Sequence, residues 1–118
     1  MGESFKDLVV WQRAIQLTVA VYKLTAAFPA SERFGLTNQL RRASVSVASN
    51  IAEGYGRSTK GEYLLFLGHA RGSNCEVETQ LVISKELDFG SAEARKLAVS
   101  HSGEISRMLV AMMSKLRK

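Results

Sequence analysis

Apolar residues recur at three- and four-residue spacing along almost the whole of this sequence, and the pattern breaks around only three points. These are Pro29, the Gly54–Gly56 pair, and Gly90. Pro29 is the only proline in the chain, so nothing else forbids a helix by removing a backbone donor. No stretch alternates apolar and polar residues long enough to read as a half-buried strand. Four helices with three connections therefore follow. Short connections oblige sequential helices to run antiparallel, which predicts an all-α, up-down-up-down four-helix bundle.

The first helix is expected from about Lys6 to Ala27, stopped by Pro29. Leu8, Trp11, Ile15 and Tyr22 form one apolar row, with Leu17, Val21, Leu24 and Phe28 beside it. After a linker from Pro29 to Leu36, with Ser31 and Glu32 opening a short turn, the second runs from about Thr37 to Glu53. Its inward row is Leu36, Leu40, Ala43, Val47 and Ile51. Small residues fill much of the remainder, including Ser44, Ser46, Ala48 and Ser49, so this helix is expected to pack most closely. Gly54 and Gly56 are expected to end it. Thr59 followed by Glu62 is a capping-box pattern that opens the third helix, which carries Leu67, Ala70, Val77 and Leu81 inward until Gly90 closes it. Ser91 caps a fourth helix whose expected inner face is Ala94, Leu97, His101, Ile105, Met108, Met112 and Leu116.

At 118 residues the chain has room for one domain over 1–118, burying about two-thirds of its unfolded surface without staples. The single cysteine, Cys75, provides no internal disulfide, suits a reducing compartment and reads as a small packing residue. Glu3, Lys6 and Asp7 interrupt any apolar leader, and no apolar run reaches the roughly 20 residues that span a bilayer. A cytoplasmic location without membrane contact is the expectation. The net charge of +5 points weakly toward an anionic partner, and its distribution says more. Arg33, Arg41, Arg42, Arg57 and Lys60 face a single acid, Glu53, across one segment, and the tail ends on Lys115, Arg117 and Lys118. Between Glu76 and Glu93 the balance reverses. Such blocks attract other copies of the chain as readily as a phosphate backbone.

Catalytic constellations are weak. Gly54-Tyr55-Gly56 follows a helix rather than a strand, and Thr59 stands where a dinucleotide fingerprint needs its third glycine, so this is a helix end and turn. Di-iron bundles need Glu-x-x-His on two helices, but Phe66 and Ala98 precede His69 and His101 at that spacing. Glu62, His69 and Glu76 share a helix row, a pattern more often hydrogen-bonded than metal-binding. Cys75 has no Cys-x-x-Cys partner and no nucleophile elbow occurs. No enzyme, cofactor or metal is therefore expected. One polar group is less ordinary. Arg42, Ser46, Ser49 and Glu53 line one face of the second helix with Asn50 beside them, and Ser73, Glu76 and Gln80 line the third. Either this is a solvated face, or it is partly buried between helices or subunits, where arginine must find a carboxylate such as Glu53 or Glu76.

Several segments resemble the 23S rRNA intervening-sequence proteins, also known as the S23 or four-helix-bundle family. They are Asp7-Leu8-x-Val10-Trp11-Gln12-x-Ala14, Leu36-Thr37-x-Gln39-Leu40-Arg41-Arg42-Ala43, Ser46-Val47-x-x-Asn50-Ile51-Ala52-Glu53-Gly54 and Ala70-x-Gly72-Ser73-x-x-Glu76-x-Glu78-x-Gln80-Leu81. The resemblance covers the chain from about Phe5 to Leu116, the fourth helix by apolar pattern alone. It implies an up-down bundle assembling as a homopentamer with a central pore, of bacterial origin and with no established catalytic residues. On this reading the partners are other copies of the chain and RNA or DNA, with Arg41, Arg42, Arg57 and Lys60 as the main phosphate contacts and Lys115, Arg117 and Lys118 supplementing them. The competing reading is a structural or adaptor scaffold, in which the same charges hold subunits together or dock another protein.

Overall fold

Four helices account for most of the chain: α1 (Val9–Thr25), α2 (Leu36–Tyr55), α3 (Lys60–Glu86) and α4 (Ala92–Arg117). The computed structural model describes residues 4–118; Glu3 lies outside them. Among the described residues there is no strand. A helix rises 1.5 Å per residue, so α3 is about 40 Å long, and the bundle measures 44 × 23 × 23 Å. Each helix touches two others in the ring α1–α2–α3–α4, which α1 and α4 close, and helices on the diagonals are not neighbours. The first helix therefore meets two others, α2 and α4.

The helix ends follow from local chemistry. A 3₁₀ turn at Phe5–Asp7 precedes α1, which ends at Thr25 with the Ala26 amide still reaching the Tyr22 carbonyl at 3.1 Å. Phe28 then turns inward, and Pro29 leads into a second 3₁₀ turn at Ala30–Glu32. Gly35 precedes α2 and offers no side chain. Glu32 takes over that role, its Oε1 accepting the Leu36 amide at 2.9 Å. Thr59 caps α3 by accepting from the Glu62 amide at 3.1 Å, and Ser91 caps α4 through the Ala94 amide, also at 3.1 Å. Each bond satisfies a donor that a helix start otherwise leaves unpaired.

Two glycines act differently from their sequence reading. Gly54 lies inside α2, which continues to Tyr55. A Cβ there would stand 2.9 Å from Phe66 Cβ and 3.1 Å from the Tyr63 ring, so glycine at this point lets α2 and α3 touch. At the other end, α3 closes before Gly90. The Phe89 amide reaches the Ser84 carbonyl (2.9 Å) and the Asp88 amide reaches Lys85 (3.0 Å), with Asp88 at φ 57°. This is a Schellman closure with aspartate, a residue that tolerates the left-handed region, in the usual glycine place. Gly90 follows at φ 75°, and a Cβ there would meet Leu24 Cδ1 at 2.6 Å.

The core is a column of leucine, valine, isoleucine and alanine. The expected inward rows of α2 and α3 are all buried, as are Leu17, Val21, Leu24 and Phe28 of α1. The Leu8, Trp11, Ile15 and Tyr22 row of α1 is only partly covered, with Ile15 and Tyr22 about 40% exposed (39% and 44%). In α4 the inner stripe is Arg95, Ala98, Ser102, Ile105, Leu109 and Met113, about one position round from the expected one, which leaves Leu97 exposed. The reason is polar. Arg95 is buried because its Nη2 donates to the Phe89 carbonyl at 2.7 Å, holding the α3–α4 turn. Ser102 is buried because it exchanges bonds with Asn74 of α3. The Ser102 hydroxyl donates to Asn74 Oδ1 (2.8 Å), and Asn74 Nδ2 donates to the Ser102 carbonyl (3.0 Å). Cys75 sits exposed on α3 rather than packed.

At the α1–α4 seam, Arg13 and Glu104 form an ion pair at 2.5 Å. His101 lies beside it with Nδ1 buried and unbonded, 3.9 Å from Glu104 Oε1. Burial pushes the His101 imidazole below its ordinary value of 6.5, and Arg13 pushes the same way against a weaker pull from Glu104.

Two outcomes follow from this packing. Ser102→Ala should lower stability by about 1–3 kcal/mol in urea melts by stranding Asn74 Oδ1, and Asn74→Leu in the same chain should recover part of the loss. A histidine whose folded pKa is depressed contributes full stability above its unfolded value and loses it as pH falls below that value. The melting temperature should therefore drop as pH is lowered from 7.5 through 6.5 toward 5, and His101→Leu should flatten that drop; an unchanged profile in the variant would refute the assignment.

Candidate functional site

Antiparallel order decides which distant residues meet. The start of α1, the end of α2, the start of α3 and the end of α4 share one end of the bundle. Lys60, Lys115, Arg117 and Lys118 of the sequence reading therefore come together there, with Lys6 joining them from the turn before α1. All but Lys6 and Lys118 lie in helices, and all are exposed. None of these five forms an ion pair within the described residues. Among the described residues the acids at this end are Asp7, Glu53 and Glu62, the last of which accepts from the Thr59 hydroxyl at 3.1 Å. Arg57 also lies here but is engaged. Its Nη2 meets Glu53 Oε2 at 2.6 Å, and its guanidinium stands 4.6 Å from the centre of the Phe66 ring. Beneath it, Tyr63 packs edge-on to Tyr55 at 6.3 Å, and burial foremost, then Tyr55, raises the Tyr63 hydroxyl above 10.0.

Arg41 and Arg42 belong elsewhere. They lie about four turns back along α2, roughly 22 Å from Arg57 at 1.5 Å per residue. Arg41 turns toward α1. Its Nε donates to Thr25 Oγ1 at 2.8 Å, and its guanidinium covers the Tyr22 ring at 4.4 Å. Arg42 is exposed and pairs with no carboxylate among the described residues. The expected pairing of Arg41 or Arg42 with Glu53 or Glu76 is thus not formed among the described residues: Glu53 serves Arg57 instead, four residues along its own chain, because that partner needs no long reach.

The polar face of α2 and α3 is a real junction in part. Ser46 Oγ and Ser73 Oγ lie 2.9 Å apart across the two helices, and Asn50 Nδ2 donates to both the Ser46 carbonyl (2.8 Å) and its hydroxyl (2.9 Å). Glu76 stays exposed, lining with Arg42 and Gln80 a depression of about 550 Å³ between the helices. Ser49 is exposed and takes no part. A separate apolar groove of about 280 Å³ runs between α1 and α2, lined by Trp11, Ile15, Thr18, Val45, Ala48 and Ala52. Sequence reasoning did not single out Thr25 or Tyr22 for Arg41. The signal was a threonine and a tyrosine one turn apart at the end of α1, which resembles ordinary helix surface until α2 is placed beside it.

Among the described residues no group of three histidine, cysteine, aspartate or glutamate side chains is placed to share a metal ion, and no helix is long and apolar enough to cross a membrane. His69 packs edge-on to Phe66 at 5.5 Å.

Residues 6–111 match the family model described as 23S rRNA-intervening sequence protein. The fold is similar to the crystal structure of a protein with unknown function from the S23 ribosomal protein family of Bacteroides thetaiotaomicron, with a TM-score of 0.79 and 20% identity. That alignment covers 89% of this chain and 98% of the other. No curated protein matches the chain.

Proposed function

The chain belongs to the 23S rRNA-intervening sequence protein family, and from that premise we propose that it is a non-enzymatic helical bundle that binds the backbone of RNA or DNA. One observation carries this reading: Lys6, Lys60, Lys115, Arg117 and Lys118 converge on one end of the bundle with no ion-pair partners among the described residues. Unpaired surface cations on one end repel one another, and a polyanion relieves that repulsion while releasing its condensed counterions. No base-reading motif accompanies them, so recognition is of phosphate rather than of sequence.

A second reading is favoured by the groove between α1 and α2. Ile15 and Val45 are half-exposed on either side of an apolar channel, which supports self-association, with five copies as the number the resemblance implies. The scaffold alternative, in which charge and groove serve only to join subunits or dock another protein, shares this surface.

Binding to single- and double-stranded RNA and DNA should weaken steeply as salt rises. Arg57 is a poor target for reversal because it holds Glu53 and covers Phe66. A Lys60→Glu, Arg117→Glu double change should instead cut affinity at least about tenfold and flatten the salt slope, with the melting temperature and assembly unchanged. Loss of assembly with no nucleic acid bound by the parent at low salt would favour the scaffold. Light scattering at micromolar concentration should give a mass well above the 13.0 kDa of one copy, and Val45→Glu should shift it toward one copy; a parent that stays at one copy would overturn the self-association.

A further inference from the structure

Arg41 is held at two points on the surface of α2, and no carboxylate pairs with its charge among the described residues. Its Nε is committed to Thr25 Oγ1 at 2.8 Å. The Thr25 side chain is buried, and its one hydroxyl proton goes to the Val21 carbonyl at 2.8 Å, so the oxygen is left to accept from Arg41. The guanidinium carbon lies over the Tyr22 ring, 4.4 Å from its centre. Two anchors, a hydrogen bond at Nε and a ring against the guanidinium carbon, fix the fork. Its two Nη groups are left without a partner among the described residues, and no carboxylate lies within ion-pairing distance.

The fork borders a depression of about 490 Å³ lined by Tyr22, Asn38, Arg41, Arg42, Val45 and Ser46. Arg42 brings a second unpaired guanidinium, and Asn38, one turn back on α2, brings an amide. A guanidinium fork matches two oxygens of one anion, and fixing it beforehand removes the ordering cost of binding. Two guanidiniums beside one depression suit a tetrahedral anion, which offers more oxygens than a carboxylate does.

We propose that Arg41 and Arg42, with Asn38, form a phosphate-binding site that holds one backbone phosphate of the bound polynucleotide at a fixed position. Tyr22 and Thr25 are its positioning residues. The proposal rests on the nucleic-acid reading above and differs from it in kind. The lysine-rich end attracts any polyanion, whereas this site, roughly 22 Å along α2, sets where the strand lies.

The site is tested on the full chain with inorganic phosphate as probe, following the arginine Nε–H signals by nitrogen-edited NMR. The Arg41 signal should shift and saturate with phosphate, and acetate should bind more weakly. Thr25→Val keeps both charges and removes only the anchor, so it should weaken phosphate binding about fivefold or more; Arg41→Lys, which keeps the charge and loses the fork, should do at least as much. Should Thr25→Val unfold, the exposed Arg42→Gln replaces it with the same expectation. In a parallel arm, phosphate should compete with a short single-stranded RNA for the Arg41 signal. A linear, unsaturated shift, or one indifferent to these variants, overturns the site. Acetate binding as tightly as phosphate overturns it in favour of a carboxylate from a protein partner. Saturable phosphate with no RNA binding by the parent overturns the polynucleotide as the source, and the nucleic-acid reading with it, while leaving the anion site standing.

Discussion

The close approach of α2 and α3 is the constraint on which the other contacts depend. These two helices share the most extensive interface in the bundle, joined by a turn at residues 56–59 that gives them little freedom to separate. Gly54 makes the approach possible beside Phe66 and Tyr63, and the small Ser46 and Ser73 meet across it at 2.9 Å. Small side chains reduce the distance between axes but contribute little apolar area of their own. The larger Leu40, Val47, Ile51, Leu67, Val77 and Leu81 must therefore complete the burial toward α1 and α4. That division lets one face of α2 be tight and polar while the opposite face is an ordinary leucine core.

Burying polar groups is how the second half of the ring finds its register. The large apolar residues buried by α4, Ile105, Leu109 and Met113, all lie in its second half. What fixes its rotation is Ser102 against Asn74 and Arg95 against the Phe89 carbonyl. A buried polar group without a partner is costly, so a rotation that breaks these bonds is penalised beyond its loss of apolar contact. The same argument covers the turn before α4, where Asp88 and Gly90 both take positive φ and Phe89 is sent inward to meet Phe28 at 5.6 Å.

Three situations of the surface cations bear on function. Arg13 and Arg57 are spent within the chain, on Glu104 and Glu53. Lys6, Lys60, Lys115, Arg117 and Lys118 are gathered at one end by antiparallel order and remain unpaired among the described residues. Arg41 is held in place by a hydroxyl and a ring rather than by a carboxylate. An exposed ion pair such as Arg57 with Glu53 is worth about a kcal/mol at most, so it says little about function. Fixing an arginine without neutralising it leaves its full charge available to a ligand.

Sequence alone determined the class of fold, the helix starts at Thr59 and Ser91, and the inward rows of α2 and α3, because apolar period and capping are local properties of the chain. It also marked most of the basic residues that share one end, though as parts of two separate blocks, one from Arg33 to Lys60 that also held Arg41 and Arg42, the other the tail from Lys115 to Lys118. Local patterns could not place the inner face of α4, since Arg95 and Ser102 read as surface until Phe89 and Asn74 are there to receive them. Nor could they tell Arg41 from Arg42: the two are adjacent and chemically identical, and a helix turns 100° between them. Only the packing of α1 against α2 sends one to Thr25 and Tyr22 and the other to solvent, because a side chain's partners are set by what the fold brings beside it.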